Sequence, residues 1–435
     1  MKITIFGTGY VGLVQGACMA DLGHDVLCID IDKEKIKKLN EGKVPFYEPG
    51  LSDLIKRNTA QERLNFSLDA QKGVDFGQVI FIAVGTPQSP NGQADLSAIF
   101  EVAKTIGKNI KEYRVIVNKS TVPPLTAQKV RKTITNNQTG NVKFSVVSNP
   151  EFLREGSAVK DFLIPDRIII GLEKNDQQAK DIMLKIYNTL ARTDKPIMFT
   201  DTTTSEIIKY AANSMLASKI SFMNELSHYT EKAGGNIKEV ARGIGLDNRI
   251  GPRFLQAGCG YGGACFPKDI QALIYEMKQN GLSSQMLESI ENVNQKQKKS
   301  IIKKVNQIFP DLKNKNIGIW GLSFKPNTDD VREAPAKIVI NDLLKQGAKV
   351  RAFDPEAMNN FKKELKDIEY CKNAYEATKN TDLLILITEW NVFKEIDMEK
   401  VKNLMKTANL IDCRNIYNPQ EIRELGFNYI SIGRP

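Results

Sequence analysis

The first part of the chain alternates short apolar runs with segments that have the 3.6-residue periodicity of amphipathic helices. The opening run covers residues 3–6, and the next one, at residues 26–29, ends in Asp30. Further buried strands are predicted at residues 79–84, 114–118, 144–147 and 167–171. Alternating strands and helices are typical of parallel sheets covered on both faces. We therefore predict an α/β protein that begins with a Rossmann-type, doubly wound sheet.

The rest of the chain changes its pattern twice. A helical stretch without proline covers residues 203–233 and predicts a long central helix. After a Lys-rich helix near residues 296–308, a second alternation predicts strands at residues 316–320, 349–353, 383–388 and 409–413. Its rhythm resembles the N-terminal half, but the residues show no repeat. We predict three parts: a Rossmann-type domain over residues 1–200, a central helical region over residues 201–310, and a second, smaller Rossmann-like α/β domain over residues 311–435.

Composition and charge narrow the classes of protein to consider. The 435 residues are 41% hydrophobic, and the net charge of +10 comes from scattered lysines rather than from a basic stripe. We therefore expect no nucleic acid partner. No apolar run is long enough for a membrane span and none resembles a secretory leader, so we expect a cytoplasmic protein without a membrane partner. Six cysteines without a C-x-x-C pair, together with two histidines, predict reduced thiols and no metal site.

A dinucleotide-binding fingerprint follows the first strand. Gly7, Gly9 and Gly12 form G-x-G-x-x-G between a strand and a helix, and Asp30 closes the second strand about 20 residues later. This spacing predicts that the glycine turn binds a pyrophosphate and that Asp30 accepts hydrogen bonds from a ribose. A carboxylate there repels a 2′-phosphate, so the fingerprint favours NAD over NADP, a preference that the nearby Lys35 weakens slightly.

Other candidate site residues lie in turns after strands and on the long helix. Turns at residues 84–87, 119–123 and 148–156 each follow a predicted strand, at the sheet edge where such folds bind ligands. Lys209 and Asn213 are four residues apart on the helix and therefore share one face. That face is either a functional pair or a solvated helix surface.

The most informative stretch is the glycine-rich run GCGYGGACFPKD, which covers residues 258–269 and contains Cys265. Its glycines let the backbone approach a ligand closely, and the charge of Lys268 favours the thiolate form of Cys265. Two interpretations remain: a nucleophile for covalent catalysis, or a small buried thiol in a glycine-rich loop. Because His24 and His228 are the only histidines, any proton transfer falls to Lys, Asp, Glu or water.

An ordered set of motifs links these features. The chain carries, in this order, GTGYVG, VGTP, STVP, NPEFLREG, EIIKYAANS, KISFMNE, GCGYGGACFPKD and GLSFKPNTDDVRE. In this set it resembles the UDP-glucose/GDP-mannose dehydrogenase family over nearly its whole length, and within that family the UDP-glucose 6-dehydrogenases. The resemblance implies that two NAD molecules are used in turn to oxidise UDP-glucose to UDP-glucuronate. A thiol suits this chemistry, because an aldehyde held as a thiohemiacetal can lose a second hydride to form a thioester, which water then cleaves.

The resemblance also implies residue roles. The catalytic set would comprise Cys265 as nucleophile, Lys209 and Asn213 as oxyanion ligands, and Asp269, Glu151 and Thr121 around the reacting water. Cofactor contacts would come from Gly7, Gly9, Tyr10, Val11, Gly12, Asp30, Lys35, Thr86, Thr121, Glu155, Lys268 and Arg332. Contacts with the nucleotide sugar would come from Glu151, Phe152, Leu153, Lys209, Asn213, Arg249, Phe254, Leu255, Tyr261, Gly262, Lys325 and Arg414.

For the three parts, the resemblance implies NAD binding by the first, dimerisation through the second and UDP-sugar binding by the third. We expect a homodimer or a higher homo-oligomer, with Arg249 reaching the substrate of a neighbouring subunit. The same chemistry on GDP-mannose or UDP-N-acetyl-mannosamine is the nearest alternative. A hydroxyacid dehydrogenase with a single oxidation, and a binding protein for NAD or nucleic acid without catalysis, are further alternatives. The hydroxyacid dehydrogenase would leave the Cys265 loop and the C-terminal domain without a function, and the binding protein has only the positive charge in its support.

Overall fold

Two structural units share the chain. The computed structural model describes residues 1–191 and 196–435. The first unit comprises residues 1–212 and 271–280, and the second comprises residues 213–270 and 281–435. Each unit contains one sheet and its own hydrophobic core. The three-part division along the sequence stays a prediction.

The sheet of the first unit has, within its described residues, eight strands. They are β1 (Lys2–Phe6), β2 (Asp25–Ile29), β3 (Leu64–Ser67), β4 (Val79–Ile82), β5 (Arg114–Asn118), β6 (Phe144–Ser148), β7 (Ile168–Leu172) and β8 (Ile197–Asp201). Their order is β3-β2-β1-β4-β5-β6-β7-β8, and neighbours pair in parallel except β6 and β7, which are antiparallel. The first six strands thus have the Rossmann order, which confirms the predicted fold class.

Helices connect these strands and lead into the second unit. The helices between the strands are α1 (Tyr10–Asp21), α2 (Lys33–Asn40), α3 (Leu51–Ala60), α4 (Ala70–Phe76), α5 (Ser97–Asn109), α6 (Thr126–Asn137), α7 (Ala158–Leu163) and α8 (Gln177–Ala191). After β8 come α9 (Thr202–Ala233), α10 (Ile237–Gly245), α11 (Phe266–Gln279) and α12 (Gln285–Ile308). The predicted long central helix is therefore confirmed as α9. No helix in the described ranges is long and apolar enough to cross a membrane.

The second unit contains a smaller sheet with helices between its strands. Its elements are β9 (Asn316–Trp320), α13 (Pro335–Lys345), β10 (Lys349–Phe353), α14 (Met358–Glu364), β11 (Glu369–Tyr370), α15 (Ala374–Thr378), β12 (Leu383–Leu386), α16 (Asn391–Lys394), α17 (Met398–Leu404), β13 (Asn409–Asp412), α18 (Pro419–Glu424) and β14 (Asn428–Ser431). The order β11-β10-β9-β12-β13-β14 is that of the first six strands of the other sheet, and every pair is parallel. The second Rossmann-like domain is confirmed.

Sequence patterning located the inner strands and missed the edges. β3 and β8 are the edge strands of the first sheet, and β11 and β14 are those of the second. Each is partly exposed, so it lacks the continuous apolar run that marks a strand covered on both faces. Among the inner strands, the prediction at residues 167–171 was wrong by one residue, and those at residues 79–84 and 383–388 extended into the following turns.

In each sheet, the glycine after the first strand lies very close to the backbone that follows the neighbouring strand. Gly7 has φ of +100°, and a Cβ there would lie 2.6 Å from the carbonyl oxygen of Ala83, just after β4. Gly321 has φ of +93°, and a Cβ there would lie 2.5 Å from the backbone nitrogen of Thr388, just after β12. Both positions therefore require glycine, and the two sheets share this device although the residues around it differ.

An aspartate after the second strand of each sheet then holds the first turn. Asp30 accepts hydrogen bonds from the backbone nitrogen and the hydroxyl of Thr8, at 2.8 and 2.6 Å. Asp354 accepts from the backbone nitrogens of Leu322 and Ser323, at 2.7 and 3.0 Å, and from the Ser323 hydroxyl at 3.1 Å. The turn that follows β1 or β9 is thereby fixed to the neighbouring strand in both sheets.

Glu206, on α9, secures the N-terminus of α6 in the first unit. Its Oε1 accepts from the backbone nitrogen of Ala127 at 3.0 Å and from the hydroxyl of Ser148 at 2.9 Å. The side chain is buried, and within the described structure its Oε2 has no hydrogen-bond partner. Burial outweighs these hydrogen bonds and raises the pKa of Glu206 from 4.5 to about 7.

We predict that this carboxyl makes stability depend on pH. The folded state favours the protonated form of Glu206. The contribution of this group to stability is therefore complete below pH 4.5 and is lost as the pH rises through about 7. Glu206→Gln has no such loss. The difference in free energy of unfolding between Glu206→Gln and wild type should therefore shift in favour of the variant by on the order of 2 kcal/mol from pH 5 to pH 8.5. Denaturation at both pH values tests this. The free energy of unfolding of Glu101→Gln, at an exposed position, should change with pH as that of wild type does. The same pH dependence in Glu206→Gln would contradict the prediction.

Candidate active site

The glycine turn after β1 has the shape that a pyrophosphate requires. A Cβ at Gly12 would lie 1.9 Å from the carbonyl oxygen of Gly7, whereas a Cβ at Gly9 would meet no atom of the described structure within 4 Å. Helix α1 begins at Tyr10, with the half-buried Val11 in its first turn, and no described side chain caps it. Its first N–H groups and the open space at Gly9 fit an anionic diphosphate at the helix N-terminus.

Asp30 lies beside this turn with an ionised carboxylate. Besides the two bonds from Thr8, it accepts from the backbone nitrogen of Asp32 at 3.0 Å and pairs with the Lys35 ammonium at 3.2 Å. Burial raises its pKa, but the hydrogen bonds from Thr8 and Asp32 and the charge of Lys35 outweigh burial, so the pKa lies below its usual value. The next residue, Ile31, is 96% exposed and offers an apolar surface on which an adenine base could lie. Ile31 was not selected from the sequence.

The turns after β4 and β5 are joined to each other. The hydroxyl of Thr86 donates to the carbonyl of Thr121 at 3.0 Å, and the hydroxyl of Ser120 donates to the carbonyl of Val84 at 2.6 Å. The two threonines that the resemblance assigns to the cofactor therefore lie together at one edge of the first sheet, as the strand ends predict.

A buried ion pair lies at the same sheet edge. The Lys209 ammonium donates to Glu151 Oε1 at 2.9 Å, and each side chain is 4% exposed. Glu151 Oε2 accepts from the backbone nitrogen of Leu153 at 2.6 Å, which fixes the carboxylate. The Phe152 ring lies between two cations, 5.3 Å from the Lys209 ammonium and 3.7 Å from the Arg167 guanidinium carbon. The turn of residues 148–156 thus brings three of the predicted substrate residues together with Lys209.

Lys119 is a second buried lysine here. It belongs to the turn of residues 119–123, which the sequence marked as a candidate, but it was not named as a site residue. Its ammonium donates at 3.2 Å to Asn149 Oδ1, which also accepts from the Tyr187 hydroxyl at 2.5 Å. Burial lowers the pKa of Lys119 to about 8, while the charge of Glu151 raises it and that of Lys209 lowers it further. Its position directly before the STVP motif, at the end of β5, was the signal that could have found it.

Glu48 is a further residue that the sequence did not reveal. It is buried and accepts from the Tyr10 hydroxyl, from the backbone nitrogen of Gly156 at 2.6 Å and from that of Ala158 at 2.7 Å. It therefore ties the start of α1 to the end of the 148–156 turn. Glu155, a predicted cofactor residue, is buried in this turn next to Gly156.

In the second unit, Cys265 directly precedes α11. It is half-buried, and its carbonyl accepts the first helical hydrogen bond from the nitrogen of Asp269 at 2.9 Å. The positive end of the helix dipole favours a thiolate at this position. Asp269 is 1% exposed and accepts from Asn213 Nδ2 at 2.6 Å and from the Lys268 ammonium at 2.5 Å. The charge of Lys268, predicted to act on the thiol, is thus shared with the Asp269 carboxylate.

The glycine-rich loop before the thiol is closely packed. A Cβ at Gly262 would lie 2.2 Å from the carbonyl oxygen of Glu333, so only glycine fits there. The hydroxyl of the buried Tyr261 donates to Glu291 at 3.1 Å. Arg332 lies beside Glu333 with a side chain that is 60% exposed. The predicted residues Tyr261, Gly262 and Arg332 therefore belong to one local structure.

Arg414 and Lys325 meet at Phe324, in the turn after β9. The Arg414 guanidinium donates to the carbonyl of Phe324 at 3.2 Å and to that of Ile387 at 2.7 Å, and it pairs with Glu389 at 3.1 Å. The Lys325 ammonium lies 5.4 Å from the centre of the Phe324 ring. Two cations beside a turn at the sheet edge suit an anionic ligand.

The remaining predicted substrate residues have different surroundings. Leu255 is 2% exposed and packs in the core of the second unit, directly after Phe254, which has φ of +65°. Arg249 is 88% exposed and pairs with Asp247 at 2.6 Å, so within its own unit it lies at the surface.

No group of three or more His, Cys, Asp and Glu side chains that could hold a metal occurs among the residues described.

Family models match three consecutive parts of the chain. Residues 1–191 match the NAD binding domain of the UDP-glucose/GDP-mannose dehydrogenase family. Residues 203–296 match the central domain of that family, and residues 318–419 match its UDP binding domain.

Individual relatives match the chain from end to end. The chain is 46% identical to a protein of Rhizobium meliloti named UDP-glucose 6-dehydrogenase, over 100% of both chains. A solved UDP-glucose dehydrogenase of Pyrobaculum islandicum is 35% identical and has a TM-score of 0.92, covering 100% of this chain and 98% of its own. A UDP-D-ManNAc dehydrogenase of Pyrococcus horikoshii is 25% identical with a TM-score of 0.87, covering 100% and 99%. By its fold, its motifs and these matches, the chain belongs to the UDP-glucose/GDP-mannose dehydrogenase family and uses NAD.

Proposed function

We propose that the protein oxidises the primary alcohol of UDP-glucose to the carboxylate of UDP-glucuronate in two hydride transfers, through a covalent intermediate on Cys265. The observation that carries the proposal is the half-buried thiol at the start of α11, next to the buried Asp269. The identity with relatives named UDP-glucose 6-dehydrogenase supports this choice of sugar nucleotide.

The first unit supplies the cofactor contacts in this proposal. The turn of residues 7–12 binds the pyrophosphate, Asp30 binds the adenosine ribose, and Thr86, Thr121 and Glu155 lie toward the nicotinamide. NAD accepts the hydride in both oxidations. Lys35 completes the contacts proposed for the first unit, and Ile31 adds an apolar surface for the adenine. Lys268 and Arg332 are further proposed contacts that belong to the second unit.

The first oxidation needs a group that stabilises the developing alkoxide. Lys209 and Asn213 fill this role, because an ammonium and an amide N–H both donate to an oxygen that gains negative charge. The hydroxyl proton passes to a basic group of the site and the hydride leaves C6, so that the product is an aldehyde. The buried Glu151, held by Lys209 and the backbone of Leu153, keeps the ammonium oriented.

The second oxidation needs the aldehyde to be held covalently. The Cys265 thiolate attacks C6, a C–S bond forms, and protonation of the oxygen gives a thiohemiacetal. Loss of the hydroxyl proton to a basic group of the site and of the second hydride to NAD gives a thioester. Water positioned by Asp269, with Thr121 and Glu151, then adds to the carbonyl, and the C–S bond breaks to release the carboxylate and the thiolate. The sum is one alcohol, one water and two NAD giving one carboxylate, two NADH and three protons.

The nucleotide of the substrate carries about two negative charges, which Lys325 and Arg414 of the second unit bind in this proposal. From the glycine-rich loop and the residues before it, the sugar nucleotide would be contacted mainly through the backbone of Phe254, Leu255, Tyr261 and Gly262.

All six cysteines are free thiols, in keeping with the reducing cytoplasm in which we place the enzyme.

Substitution of the nucleophile tests the reaction. We expect wild type to form two NADH per UDP-glucose consumed. Cys265→Ser should slow turnover at least about 100-fold, because the serine alkoxide is a poorer leaving group than the cysteine thiolate, and should accumulate a covalent adduct visible by intact mass spectrometry. UDP-N-acetyl-mannosamine and GDP-mannose, assayed alongside, should be poor substrates. One NADH per sugar, or normal turnover by Cys265→Ser, would return the thiol to a structural role.

Substitution of Asp30 tests the choice of cofactor. We expect Asp30→Ala to weaken NAD binding by about tenfold or more and to narrow the preference for NAD over NADP, because it removes a ribose acceptor and a repulsive charge. Titration of the free enzyme with each cofactor, followed by calorimetry, measures both effects. Asp32→Asn is the matched control, since Asn still caps α2 and leaves the backbone donor to Asp30 in place. Equal losses in the two variants would contradict this assignment.

We also propose that two copies associate through α9. Met215, Phe222 and Tyr229 recur at seven-residue intervals and are 60%, 57% and 70% exposed, so they form one apolar seam along the helix. Beside the seam, the Lys219 ammonium donates to the carbonyl of Ile250 at 2.8 Å. A second copy with the same seam would cover these side chains by two-fold symmetry.

Arg249 gains a role from this arrangement. It lies next to Ile250, and its exposed guanidinium would reach the nucleotide sugar of the other subunit. A dimer would therefore complete each substrate site with a residue from its partner.

A charge in the seam tests the dimer. We expect Phe222→Glu to shift the mass measured by light scattering from that of a dimer to that of a monomer, because each interface would bury two carboxylates. Val392→Glu, at a 46% exposed position outside α9, should leave the mass unchanged. A wild type of monomer mass, or a dimeric Phe222→Glu, would overturn the proposal.

A further inference from the structure

Three polar side chains on one face of α12 are buried and belong to none of the roles described above. Asn294, Gln297 and Lys298 follow an i, i+3, i+4 spacing and are 0%, 1% and 0% exposed. Burying an amide or an ammonium is costly unless its polar atoms are bonded, so each must have a partner that offsets the cost. Each of the three has a partner in or beside the glycine-rich loop before Cys265, and Gln297 also bonds the His228 ring on α9 at 2.8 Å.

The two amides hold the backbone of that loop. Asn294 accepts from the backbone nitrogen of Tyr261 at 2.8 Å and donates to the carbonyl of the same residue at 3.2 Å. Gln297 donates to the carbonyl of Gly258 at 2.5 Å, while the backbone nitrogen of Gly258 donates to Asn224 at 2.8 Å. Both backbone groups of two loop residues are therefore bound by side chains from outside the loop.

The lysine holds the turn against which the loop packs. The Lys298 ammonium donates to the carbonyl of Glu333 at 3.2 Å and lies 3.7 Å from the Glu333 carboxylate. Glu333 has φ of +51°, a backbone conformation that a residue with a side chain rarely adopts without support. The same carbonyl approaches Gly262, where a Cβ would lie 2.2 Å away. Next to it, the nitrogen of Gly263 donates to the carbonyl of Arg332 at 2.8 Å.

A charged side chain here does what an apolar one of equal length cannot. Methionine would fill the space of the Lys298 stem, but it would leave the Glu333 carbonyl without its donor and the left-handed turn without its support. The turn is bonded to Gly263, two residues before Cys265, so a shift of the turn moves the thiol.

We propose that Asn294, Gln297 and Lys298 are positioning residues that clamp the glycine-rich loop and set the place of the Cys265 sulfur, with Lys298 acting through the turn at Arg332 and Glu333. The proposal rests on the proposed function of Cys265 as nucleophile. None of the three residues is among the proposed contacts with substrate or cofactor, so their effect on the reaction is geometric. A displacement of about 1 Å at a reacting atom is worth about 100-fold in rate.

The test compares two buried lysines of the same helix. Lys304 also lies on α12, is 6% exposed, and pairs with Glu231 at 2.5 Å rather than with the loop. Lys298→Met and Lys304→Met would be measured for kcat and KM with UDP-glucose, for thermal unfolding, and for the rate at which iodoacetamide alkylates Cys265, followed by peptide mass spectrometry without substrate.

We expect Lys298→Met to lower kcat by about 100-fold and to move the alkylation rate outside about twofold of wild type. Lys304→Met should lose stability but keep the wild-type alkylation rate. If Lys298→Met does not fold, Asn294→Asp serves instead, because it keeps the shape of the side chain and replaces the donor to the Tyr261 carbonyl with an acceptor. A variant of the clamp that alkylates like wild type, and loses no more activity than Lys304→Met, would overturn the proposal.

Cys265→Ser in the same assay separates the two hypotheses. If it is inactive while Lys298→Met resembles Lys304→Met, the nucleophile stands and the clamp fails. If Cys265→Ser turns over normally, the proposed function fails, and the alkylation rates still report whether the clamp sets the thiol's position.

Discussion

In each sheet, the carboxylate after the second strand accepts hydrogen bonds from the turn after the first strand and so holds that turn. The number of hydrogen bonds that the carboxylate already accepts from the protein decides whether it can also accept one from a ribose. Asp354 is fully buried, and its Oδ2 accepts from the turn and from the Trp390 indole at 3.1 Å. Its Oδ1 accepts from the nitrogens of Glu356 and Ala357 at 3.0 and 2.8 Å. Asp30 carries fewer such bonds. The second sheet therefore keeps the dinucleotide fold but offers no acceptor to a ribose there.

Several of the buried charged side chains lie where chemistry is expected. In the first unit, Lys119, Glu151 and Lys209 are all nearly inaccessible, and in the second unit Asp269 is held by an amide and an ammonium. Ion pairs of this kind add little to stability, because desolvation cancels most of the attraction. Their value is to present ionised groups in a fixed orientation, which a site that stabilises an oxyanion requires.

Sequence patterning succeeded where burial is two-sided and failed where it is not. The inner strands, most of which are buried along most of their length, were found, whereas β3, β8, β11 and β14 are edges with mixed exposure and were missed. The similarity of the two sheets was visible in the sequence only as a shared rhythm of strands and helices. It resides in strand order and in two contacts, at a glycine and an aspartate, rather than in similar residues along the chain.

The sequence by itself determined the α/β class, the NAD fingerprint and the thiol loop, because these depend on residues that are close along the chain and have fixed spacing. Only the tertiary structure revealed Glu48, which joins α1 to a turn more than a hundred residues away, and Lys298, which supports Glu333. Nothing local distinguishes a lysine or a glutamate that will be buried from one that will be solvated. The partners that make burial tolerable are brought together only when the chain folds.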